Sequence, residues 1–299
     1  MKLKNNLWAL VLLLGAACAS GPGAPSEDEL IVCGADEIYA LEVPASGEAR
    51  KLWGWKPKES AELPELLRKQ FVSTDECKPV AGGRVLVTSS GGGVALFDRS
   101  SGSAVFWASA VNAHSAELLP GGKLVVASST GEGGNRLVLF DLSAPGKPIV
   151  SDDLHGAHGV VWDAEVKLLW ALGELELRAY AMQDLEGPAP QFVRKLSYTL
   201  PNPGGHDLRA VPKSDSLSLT TGNHVWLFDR RRLNFLPCGG LSELAGVKSV
   251  DVHPRTGRLA FVQAEKSWWA ERVRFRNADG ELPLPGQKVY KARWALLPE

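Results

Sequence analysis

Three histidines, His114, His158 and His206, stand 44 and 48 residues apart, each a few residues ahead of a short apolar run. Imidazoles brought together from such positions can serve as acid and base near neutral pH, or as a trio of nitrogen ligands for Zn²⁺ or Mn²⁺. The same slot holds Asp75 and Lys248 elsewhere in the chain, and Ala292 at a sixth occurrence. Lys248 or Arg293 would neutralise a developing anion, and Glu117 and Asp207 lie close enough in sequence to orient an imidazole. The catalytic set expected on this basis is His114, His158, His206, Lys248 and Glu117. Ligand contacts are expected from Asp75, Lys78, Asp207, Arg293 and the pair Trp268 and Trp269. A structural role competes with this. Some repeats place histidine before an inner strand only to bond backbone and an aspartate at the turn. The change of the slot to acid and to lysine in other copies favours a site, because a structural device would recur in kind.

The elements that must position these residues are legible as a repeat. Residues 94–98, 138–141 and 225–229 are apolar runs closed by Phe-Asp, with the aspartates at 98, 141 and 229. Short alternating strands rich in Val, Leu, Phe and Trp, parted by Gly/Ser/Asn turns at a period in the forties, are the sequence signature of propeller blades. Five full openings are found, and the sixth is split: residues 291–298 read as an opening strand, while residues 29–33 and 38–43 read as the strands that follow it. The expected fold is an all-β, six-bladed β-propeller in which the last strand completes the first blade, removing free sheet edges. One helix is expected over residues 59–71, as an insertion, from Leu63, Leu66, Leu67 and Phe71.

Lys2 and Lys4 precede an apolar stretch over residues 7–14 and then Gly15-Ala16-Ala17-Cys18, the pattern of a bacterial export signal with a lipid-accepting cysteine. The chain therefore divides into an export signal, 1–18, a tether, 19–28, and a propeller, 29–299. Cleavage after Ala19, giving a free secreted protein, is the alternative. A single acylated Cys18 would hold a soluble monomer at the cell envelope, periplasmic or on the surface, with no other membrane contact. Formal charge is −1 and no basic run interleaves with aromatics, which speaks against nucleic acid as a partner. Glycine runs at 91–93 and 131–134 link strands and lack the features of a phosphate loop, and no Gly-x-Ser-x-Gly is present. Cys33, Cys77 and Cys238 allow at most one disulfide.

The phrases around Cys77-Lys78-Pro79, residues 112–120, His158-Gly159-Val160-Val161-Trp162, Gly205-His206-Asp207, Val247-Lys248-Ser249 and residues 263–269 resemble an uncharacterised family of exported bacterial six-bladed propellers. The resemblance implies the fold and places Lys78, His114, Glu117, His158, Trp162, His206, Asp207, Lys248 and Trp268 in the family's signature phrases. It brings no activity with it. Two functions stay open. One is a carbohydrate-active enzyme, foremost a polysaccharide or oligosaccharide lyase using imidazole bases beside basic groups. The other is a non-catalytic module that binds a small saccharide, a glycan or a protein at the cell surface.

Overall fold

The computed structural model describes residues 25–44, 48–278 and 280–298. The export segment with Cys18, and the tether up to residue 24, lie outside the described residues. The rest forms six four-stranded antiparallel sheets, five of them running from an inner to an outer strand in chain order. The inner strands of blades two to six are Thr74–Val80, Ala113–Leu119, Gly159–Asp163, Asp207–Ala210 and Val247–Val252. Blade one takes its inner strand, Lys291–Trp294, from the far end of the chain. It pairs antiparallel with Glu29–Cys33, Leu30 opposite Trp294 and Cys33 opposite Lys291. The six-bladed ring closed by its last strand is thus the observed architecture.

The blades hold together because their inner and middle strands are buried on both faces. Along Glu29–Cys33, Leu30 and Val32 pack towards blade six against Val262 and Phe275, while Ile31 and Cys33 pack towards blade two against Cys77 and Val87. The alternation of period two therefore sends apolar side chains into two different cores, and the strand reads as one unbroken apolar run. Each pair of neighbouring blades shares such a core.

The Phe-Asp aspartates close the outer hairpins. Asp98 accepts from the backbone N–H of Ser100 and Ser101, Asp141 from that of Ser143, and Asp229 from those of Arg231 and Arg232. These are Asx turns. None of the three aspartates meets a histidine, so the structural role for histidine weighed above is not the one built here.

The helix expected over 59–71 is much shorter, a single turn at Glu65–Arg68. Pro64 precedes it and disfavours helical backbone at the residue before it. Leu63, Leu67 and Phe71 are buried between blades one and two, but Leu66 is 77% exposed. Cys33, Cys77 and Cys238 are buried and unbridged. Among the described residues no helix is long and apolar enough to cross a membrane.

Candidate functional site

A β-bulge at the start of each inner strand builds the site. Thr74 pairs with Ser89 and Glu76 with Thr88, leaving Asp75 as the extra residue. His114 is the extra residue between Ala113 and Ser115, and Lys248 that between Val247 and Ser249. In blades four, five and one the same geometry is made by two residues facing one. His158 N–H bonds the carbonyl of Leu172, which already opposes Gly159. His206 likewise shares Thr220 with Asp207, and Tyr290 shares Cys33 with Lys291. Bulges re-aim side chains. Here they turn six of them towards the axis.

The ring at this mouth is Asp75, His114, His158, His206, Lys248 and Tyr290. Ala292, expected in the sixth slot, is two residues too far along. Its side chain is packed with Val262 and Phe275 between blades six and one. The proline that closes this copy, Pro298, stands two residues further from the slot than Pro120, Pro212 and Pro254 do in theirs, so lining up the repeats on the proline shifts the register.

Below the mouth the ordinary alternation resumes and gives two further rings. The next axial positions are Glu76, Ser115, Gly159, Asp207, Ser249 and Lys291. Two residues further come Lys78, Glu117, Val161, Arg209, Asp251 and Arg293. The first of these layers is locked. Arg293 donates to Glu76 Oε1 at 2.9 Å through Nε and to Asp207 Oδ2 at 2.9 Å through Nη1. Lys291 Nζ is 3.1 Å from Asp207 Oδ1 and 3.5 Å from Glu76 Oε2. None of these four residues is more than 2% exposed. The two cations hold the Glu76 and Asp207 carboxyls well below the usual carboxylate range despite burial. This buried cluster spans the axis from blade two to blade five and lies between its two ends.

The roles expected for several residues are changed by that geometry. Arg293 and Asp207 hold one another and do not reach the mouth, and Asp207 orients no imidazole. Glu117 pairs with the buried Lys78 at 3.1 Å on the far side of the cluster, so neither residue joins the histidines. Asp75 is the carboxylate near an imidazole, its Oδ1 lying 3.6 Å from His114 Nδ1.

At the mouth the His114 and His158 rings stack, centroids 4.2 Å apart and planes 22° from parallel. His206 stands edge-on to His158 at 5.1 Å. His158 Nδ1 donates to the Gly156 carbonyl at 2.8 Å, which leaves the lone pair on Nε2. Lys248 Nζ lies 3.1 Å from His206 Nε2, which therefore accepts. The Nδ1 atoms of His114 and His206 have no hydrogen-bond partner among the described residues. Burial disfavours the imidazolium of all three. It lowers His158 to about 4 and, with the charge of Lys248, His206 to about 2; His114 is also held well below its usual value, by burial and then by His158. Burial raises Asp75 to about 7, although the Ser90 N–H bonds its carboxylate. The metal expectation is not carried by this arrangement. Among the described residues no group of three His, Cys, Asp or Glu side chains is placed to hold an ion. Two stacked rings cannot aim their nitrogens at one point, and a lysine ammonium occupies Nε2 of the third.

Trp268 reaches the mouth, its ring 5.8 Å from Tyr290 in an edge-to-face arrangement, and it is 36% exposed. Its loop is fastened there by pairing of Ala270 with Val289. Trp269 points elsewhere and lies under the ammonium groups of Lys266 and Lys288. His253 is a buried turn residue: its Nδ1 accepts from the N–H groups of Arg255 and Thr256.

Tyr290, Lys291, Glu76, Arg209 and Asp251 were not anticipated. The signal for them was the alternation itself, counted from the bulge rather than from the apolar run.

The chain belongs to a family of unknown function, DUF6528, whose profile matches residues 3–297. No curated protein matches it.

Proposed function

We propose that the histidine-ringed mouth is a binding site for an acidic saccharide, carried by a propeller that is exported and held at the cell envelope through Cys18. The observation that carries this reading is the meeting of His114, His158 and His206 with the Lys248 ammonium and the partly exposed Trp268 at one mouth, where His114 Nδ1 and His206 Nδ1 have no hydrogen-bond partner among the described residues. Buried polar atoms without partners are few in folded proteins, and a ligand's hydroxyl and carboxylate groups would satisfy them. An aromatic face beside polar groups suits a sugar ring. Arrival of a carboxylate would favour the imidazolium forms that burial suppresses, so binding takes up protons and tightens as pH falls from 7.

Binding accounts for the electrostatics better than catalysis by histidine. An imidazole lowered to about 4 is a weak base, whereas a useful one lies near the working pH. A lyase reading is supported by Asp75 alone, which titrates near 7. It would take the C5 proton beside a uronate carboxylate while Lys248 faces the enolate charge; C4=C5 then forms as the C4–O bond breaks, and the leaving oxygen takes that proton back from Asp75.

Titration calorimetry with oligouronates and their reduced, neutral counterparts tests the proposal. Expected are saturable heat with the acidic series only, proton uptake seen as a buffer-dependent enthalpy, and loss of binding in His206→Ala. Equal binding of both series, or none, overturns it. Growth of unsaturated-uronate absorbance that is abolished in Asp75→Asn would establish the lyase instead.

A further inference from the structure

The face opposite the histidines carries a recess of about 300 Å³, whose lining includes Lys78, Glu117, Trp162, Arg209, Asp251 and Leu297. The ion cluster of Arg293, Glu76, Asp207 and Lys291 lies between it and the histidine mouth, so the two ends are separate sites. The volume is at the lower limit of small-molecule pockets.

Three of the four charges in its floor each have two hydrogen-bond partners. Lys78 Nζ donates to Glu117 and, at 2.7 Å, to the Val160 carbonyl. Glu117 also accepts from the Leu118 N–H. Asp251 accepts from the Trp294 N–H at 2.8 Å and from Arg209 Nε at 3.0 Å. That last bond uses only one edge of the Arg209 guanidinium. Its Nη1 and Nη2 have no acceptor among the described residues, and the side chain is 16% exposed. A guanidinium edge with two parallel N–H donors matches a carboxylate in a two-point grip.

We propose that this recess is a second ligand site and that it takes a small organic carboxylate, its acid group on the free edge of Arg209 and its apolar or aromatic body against Trp162 and Leu297. Two cations and two anions already balance in the floor, so a singly charged acid fits it better than a multiply charged phosphate. The open hydrogen-bonding edge is a donor edge, which disfavours an amine.

Phenylacetate and its neutral twin phenylacetamide are the probes, read by the indole N–H resonance of Trp162, assigned through Trp162→Phe. The acid shifts that resonance saturably, the amide binds at least about tenfold more weakly, and His158→Ala changes neither. Arg209→Lys keeps a cation opposite Asp251 but loses the fork, and weakens the acid by about tenfold. Should that variant not fold, the comparison of acid and amide on the wild-type protein decides alone. Equal affinities for the two probes, no saturable shift, unchanged binding in folded Arg209→Lys, or tighter binding of inorganic phosphate than of phenylacetate overturns the proposal.

Discussion

Lys248 directs its ammonium at Nε2 of His206 from 3.1 Å, a cation set against a base. The contact holds only while the imidazole is neutral. Burial first and the lysine charge second keep it so, with His206 lowered to about 2. In Lys248→Met the second cause is gone and the first remains. The His206 value then rises by about one unit or more without reaching that of a free histidine. A proton-NMR titration of the ring resonances in both proteins measures it; an unmoved His206 would mean that the lysine is directed elsewhere in solution.

Arg293 is the cross-brace of the axis, bridging Glu76 of blade two and Asp207 of blade five from the closing strand of blade one. Removing a single partner from a buried charge cluster leaves the others uncompensated, at a cost of about 3–5 kcal/mol. Arg293→Met is expected to lose about that much in urea unfolding. Adding Glu76→Gln to it should recover part of the loss, because Asp207 is then balanced by Lys291 and no carboxylate is left stranded. If the single variant is as stable as the wild type, the cluster does not brace the ring.

Stability should fall as the protein is acidified from about pH 6.5 to about pH 4. His114, His158 and His206 have folded values below the ordinary 6.5, so they contribute stability above it and lose it as protons bind the unfolded chain first. Asp75 works the other way. Its folded value, about 7, is above its ordinary one, so its contribution is complete below pH 4 and is lost as pH rises through 7. Three groups oppose one, and unfolding near pH 5 takes up about two protons. The slope of unfolding free energy against pH measures this number. His158→Gln should reduce it to about one.

Much of this is legible in the sequence. The period in the forties, the split sixth repeat and the recurring polar slot were enough for the propeller, its closure, and the meeting of Asp75, His114, His158, His206 and Lys248 at one mouth. Tyr290 is not legible because the stretch from its slot to the closing proline is two residues longer than in the copies of His114, His206 and Lys248, so Ala292 falls into register instead. The partners of Arg293 and Glu117 were misjudged for a related reason. Proximity in sequence to a histidine says nothing about height along the axis, and two residues along an inner strand move a side chain to another ring. The helix over 59–71 failed on Pro64, a local breaker that apolar spacing alone overrode.

The one axial position without a side chain sets a last expectation. Gly159 follows His158 directly and occupies the ring that elsewhere holds Glu76, Ser115, Asp207, Ser249 and Lys291. A Cβ built there would stand 2.6 Å from Cβ of Leu208 and 3.1 Å from its backbone nitrogen. Those atoms belong to the inner strand of blade five, which is held by its pairing with Ser216–Thr220 and by the Asp207 ion pairs. Relief must therefore come from the strand as a whole. Gly159→Ala is expected to lose about 1–3 kcal/mol, the usual cost of overfilling a packed interior. It should also part His158 from His206, the rings carried by the two strands that are forced apart. Loss of stability together with altered ring shifts of both histidines is the predicted pair of results. An unchanged His206 spectrum in a destabilised variant would show that the two strands give way independently of the mouth.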